Sequence, residues 1–99
     1  MRLMDKDRTA IRATVAALFG KEARVLLFGS RTDDTRRGGD IDLLVELPSA
    51  PPDEERARLD LLVALQRALG ERHMDILLTY PGARERDVDR VARVTGVPV

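Results

Sequence analysis

The spacing of apolar residues shifts repeatedly along the chain, and each shift marks an element. Ile11, Val15, Leu18 and Phe19 recur at helical spacing and predict a helix over 7–19 with one apolar stripe. Asp7 or Thr9 suits its N-cap, and Gly20 its end. Residues 24–28 lack polar alternation, as a short strand covered on both faces would. The polar stretch 31–39 closes on Gly38-Gly39 and reads as a loop. Residues 40–47 then alternate. Ile41, Leu43, Val45 and Leu47 share one face of a strand, and Asp40, Asp42, Leu44 and Glu46 share the other. The wholly apolar set should face the core. Pro48-Ser49-Ala50-Pro51-Pro52 breaks the pattern. A second helix follows over 53–69, with Asp53, Glu54 and Glu55 at the positive end of its dipole. Leu61, Leu62, Leu65 and Leu69 form its buried stripe, and Gly70 ends it. His73 to Leu78 reads as a third strand, and Tyr80-Pro81-Gly82 as a turn. A last helix is predicted over 84–94 with Val88, Val91 and Ala92 inward, ended by Gly96.

The first two strands are joined by about a dozen residues, short for a parallel crossover, so they should be antiparallel neighbours. The order helix, strand, strand, helix, strand, helix predicts an α/β (α+β) fold: a small mixed β-sheet with helices packed mainly on one face. A chain of 99 residues reads as a single domain spanning 1–99.

Composition narrows the function classes. Acidic and basic residues balance at 17 each, so no strong nucleic-acid binding is expected. Cysteine is absent, which excludes disulfides, thiolate metal sites and a cysteine nucleophile. The first residues lack an apolar signal core, and no run approaches membrane-spanning length. A cytoplasmic protein with no membrane partner is the expectation.

Residues 29–42 carry the candidate chemistry. Gly29-Ser30 follows the first apolar strand, and Asp40 and Asp42 open the second. Side chains two apart on a strand share a face, their Cα atoms roughly 7 Å apart. Paired carboxylates suit hard divalent cations that also bind phosphate. Glycine lets backbone approach a phosphate closely, the serine hydroxyl and backbone N–H groups can donate to it, and Arg31 can pair with it. Arg31 also reads as plain surface charge. A site with two Mg²⁺ ions about 3.5–4 Å apart usually wants a third acid. Asp75 is the best candidate, set among apolar residues on a strand that should be largely buried. A buried carboxylate needs a partner, which a metal supplies, as does a hydrogen bond or an arginine. His73, the lone histidine, reads as structural or solvent-facing; Tyr80 reads as local packing or a stacking surface for a base.

Leu27-Phe28-Gly29-Ser30-Arg31, then Gly39-Asp40-Ile41-Asp42-Leu43 and a strand-borne Asp75, resembles the DNA polymerase beta nucleotidyltransferase superfamily, most closely its minimal nucleotidyltransferase (MNT) branch. The resemblance covers most of the chain. It implies transfer of a nucleoside monophosphate, AMP foremost, from ATP or another NTP to a hydroxyl, with Mg²⁺ and release of pyrophosphate. It implies Asp40 and Asp42 on both metals, Asp75 on the catalytic metal and near the acceptor hydroxyl, and Gly29 and Ser30 on the triphosphate. It also implies a partner, a small helical HEPN-type protein that some MNT proteins adenylylate as antitoxins. Other readings stay open: a non-catalytic MNT-fold partner of a HEPN protein, or an enzyme modifying a small molecule in a pocket completed by a homo-oligomer.

Overall fold

The computed structural model describes residues 5–28, 41–84, 90, 94 and 96–99. Its elements are α1 (Asp5–Phe19), β1 (Arg24–Leu27), β2 (Ile41–Glu46), α2 (Glu54–Leu69), β3 (Met74–Thr79) and β4 (Val97–Pro98). The sheet order is β3-β2-β1-β4. β2 runs antiparallel to β1 and parallel to β3, and β4 lies antiparallel on the other side of β1. The sheet is therefore mixed, as the chain pattern predicts. β4 was not predicted. It is two residues long and half proline, too short for any period, and the Val99 N–H extends its pairing by donating to the Val25 carbonyl at 3.0 Å.

Alternation along the strands sorts their side chains onto two faces. Ile41, Leu43 and Val45 of β2, Ile76 and Leu78 of β3 and Val25 of β1 form the main core with Ile11, Val15, Leu61 and Leu65 from the two helices. Each such side chain contributes about 1.5–3 kcal/mol on burial. A smaller apolar group covers the middle of the opposite face: Phe28 and Leu44, with Leu26 and Leu77 against them. No helix among the described residues is long and apolar enough to cross a membrane.

α2 begins and ends as its sequence dictates. The Asp53 carboxylate accepts from the Arg56 N–H at 3.1 Å, the usual N-cap bond. At the other end the Gly70 N–H donates to the Gln66 carbonyl at 2.9 Å, with Gly70 at φ 92° and ψ 178°. That conformation is essentially confined to glycine. No atom lies within 4 Å of where a Cβ would stand, so Gly70→Ala tests the backbone alone. The substitution is expected to cost about 1–3 kcal/mol in urea unfolding. An unchanged midpoint would mean that the turn relaxes without cost.

Three expectations need correction. α1 starts at Asp5, and Asp7 is no cap: it sits buried in the first turn. Leu18 is 43% exposed although it falls on the apolar stripe. It lies in the last turn of α1, where it lines an open cleft with Phe19, Leu47 and Pro51. β3 spans Met74–Thr79, one residue later than read from the pattern. Most of the predicted last helix, including Val88, Val91 and Ala92, lies outside the described residues; Arg90 and Val94 are helical.

Candidate active site

Asp42 and Asp75 stand directly across from one another on the parallel strands β2 and β3. Register neighbours on adjacent strands project to the same face, their backbones about 4.8 Å apart. Both carboxylates are thus on the face away from Ile41, Leu43, Met74 and Ile76, which enter the main core. Asp42 is half-buried, whereas the Asp75 side chain is 64% exposed. Asp75 is therefore not enclosed, as its apolar neighbours suggest; alternation along β3 turns it outward.

Register now supplies the argument that burial does not. Like charges directly opposite in a sheet repel, and a divalent cation between them removes that repulsion while meeting its own preference for carboxylate oxygen. The pair therefore fits Mg²⁺ by donor chemistry. Among the described residues no group of three or more His, Cys, Asp or Glu is placed to hold a metal. Asp40, the expected partner of Asp42 on both metals, lies outside the described residues, as do Gly29, Ser30 and Arg31.

The residues that flank the 29–40 segment are hydrogen-bonded into the sheet. The Phe28 N–H donates to the Asp42 carbonyl at 3.0 Å, and the Ile41 N–H donates to the His73 carbonyl at 2.9 Å. The chain leaves β1 and enters β2 at the end of the sheet that bears Asp42 and Asp75. Glu46 shares the acid face but lies roughly 13 Å along the strand from Asp42, opposite Arg24 and Thr79. His73 is exposed, with Nε2 3.6 Å from Asp75 Oδ1. The Tyr80 hydroxyl donates to Glu54 Oε1 at 2.7 Å, which pushes the phenol above its ordinary pKa. Tyr80 is thereby engaged with the first turn of α2, at the far end of the sheet from Asp42. The cleft beside Leu18, about 440 Å³, also lies at that far end.

One ion pair near the carboxylates was not legible in the sequence. Arg72 Nη1 meets Asp7 Oδ2 at 3.2 Å across 65 positions, and Asp7 is 5% exposed. Nothing in local spacing links the two residues.

Residues 9–94 match the family described as the nucleotidyltransferase domain. The chain belongs to that family. No curated protein matches it. The part of this nucleotidyltransferase domain that matches includes Asp42, Asp75 and the whole 29–40 segment. Asp7 and β4 fall outside the match.

Proposed function

We propose that this nucleotidyltransferase domain is an Mg²⁺-dependent enzyme that moves an NMP, AMP foremost, from an NTP to a hydroxyl, most simply on a small helical HEPN-type partner. The observation that carries this reading is the in-register pair Asp42 and Asp75 at the sheet end where the chain leaves β1 and enters β2. Asp40 and Asp42 would hold both metal ions, and Asp75 one of them. Gly29 and Ser30 would take the triphosphate, with Arg31 pairing to it. Bound Mg²⁺ would supply charge neutralisation at the phosphates. The acceptor hydroxyl gives up its proton towards Asp75 or solvent, its oxygen bonds to the α-phosphorus, the bond from that phosphorus to the α–β bridging oxygen breaks, and pyrophosphate leaves with that oxygen. Asp75 helps to activate the acceptor hydroxyl. Catalysis is then mainly positioning and electrostatics.

The test is incubation with each α-labelled NTP, Mg²⁺ and the product of the neighbouring gene, followed by mass spectrometry. One added NMP on a hydroxyl side chain, with ATP the best donor, is the expected result. No transfer, together with no heat of Mg-ATP binding in calorimetry, would overturn the enzymatic reading. Capture of the neighbouring product without transfer would leave a non-catalytic partner as the function.

A further inference from the structure

We infer that Arg72, held by the buried carboxylate of Asp7, is a positioning residue that keeps Asp75 level with Asp42. The inference rests on the reading of these two carboxylates as cation ligands. Arg72 occupies the connection between α2 and β3, three positions before Asp75. Its own N–H donates to the Gly70 carbonyl at 2.9 Å, and its guanidinium reaches Asp7 on α1 at 3.2 Å. The next residue, His73, accepts the Ile41 N–H at 2.9 Å and so forms the first rung between β3 and β2. Strand ends open most readily, and here the acids sit just past that first rung. An anchor immediately before it holds the rung closed.

The β2–β3 ladder and the buried face of β3 fix the register along the strands, and Ile11 and Val15 fasten α1 to the core. What they leave to a further contact is the connection just before the first rung. A guanidinium–carboxylate contact is directional. Asp7 is also nearly sealed from solvent, and a carboxylate so placed requires a partner. Arg72 satisfies it and in doing so ties the first turn of α1 to the start of β3. Groups that hydrogen-bond a metal ligand directly tune metal affinity about 10–100-fold; Arg72 acts one step further back, through the backbone at the start of β3, so a smaller effect is expected.

The experiment titrates the full chain with Mn²⁺ by electron paramagnetic resonance. The double variant Asp7→Asn/Arg72→Gln removes both charges together and leaves neither buried alone. It should stay folded and bind Mn²⁺ more weakly than wild type, by up to about 10-fold, the lower end for groups that bond a ligand directly. Arg72→Lys should recover part of the loss. Asp53→Ala, which removes the cap of α2 at the far end of the sheet, should lower thermal stability and leave Mn²⁺ affinity unchanged. A folded double variant with wild-type Mn²⁺ affinity overturns the positioning role and leaves the proposed function standing. Wild type that binds no Mn²⁺, or Asp42→Asn that binds it undiminished, overturns the metal reading and this inference with it.

Discussion

Asp42→Asn should lower Mg²⁺-dependent NMP transfer by about a thousandfold or more while the chain stays folded. The substitution keeps the shape of the side chain and exchanges an anionic oxygen for a neutral amide. It therefore tests charge at one position of the in-register pair. Asp42 lies on the smaller face of the sheet, half-buried, so no core volume changes. It also stands directly beside Asp75, and loss of one of two like charges relieves repulsion within the sheet. Thermal unfolding should thus stay near wild type as incorporation of α-labelled ATP collapses. Asp75→Asn should follow the same pattern. Glu46→Gln, on the same face but at its other end, should retain transfer. Undiminished incorporation by Asp42→Asn would remove this carboxylate from the mechanism, whatever the family.

The strands and helices that frame this pair were readable because each is written in a local period. β2 alternates from Ile41 to Glu46 except at Leu44; its apolar set enters the main core, while Leu44 is buried on the opposite face. α2 carries its own start and stop signals in Asp53 and Gly70, and both act as read. The antiparallel pairing of β1 and β2 follows from the length of the chain between them. β4 offered no such signal. Two residues cannot show a period, and its pairing with Leu26 and Leu27 is decided by tertiary packing. Asp7 misled for a related reason. An acid near a helix start looks like a cap, and only the fold reveals an arginine 65 positions away that claims it.

The candidate site was legible to the extent that its residues are neighbours in sequence. Gly29-Ser30 and Asp40-Ile41-Asp42 lie within fourteen positions, so grouping them as candidates needs no long-range information. Asp75 is different. Its apolar flanks, Met74 and Ile76, suggest an enclosed position, yet β3 has one face in the core and turns its alternate residues away from it. The link between Asp75 and Asp42 is a parallel register, which depends on how α2 and the 70–73 connection return the chain to the sheet. No sequence period encodes that return. Membership in the nucleotidyltransferase family is shown by a match over residues 9–94, a span that contains both acids.

Leu43→Ala should destabilise the chain by about 3–4 kcal/mol, the largest single loss expected from a conservative core change. Leu43 has no exposed surface and lies on the central strand, between Leu27 of β1 and Ile76 of β3. Its side chain enters the core shared by the sheet and both helices. Truncation there opens a cavity walled on two sides by hydrogen-bonded strands, which cannot close in, so the transfer and cavity costs add. Domains of this size have about 5–15 kcal/mol in total, so the variant should unfold at much lower urea with an unchanged slope. Leu59→Ala makes the comparison sharp. Leu59 is 43% exposed on α2, and its truncation should cost about 0.5 kcal/mol or less. Activity adds a second readout, because Leu43 follows Asp42 on the same strand. Well below its melting temperature, Leu43→Ala should retain transfer if the β2–β3 ladder alone sets the spacing of Asp42 and Asp75. A loss of transfer in the folded variant would mean that packing behind the strand helps to set that spacing. Equal destabilisation by Leu43→Ala and Leu59→Ala would contradict the assignment of the core to this face of the sheet.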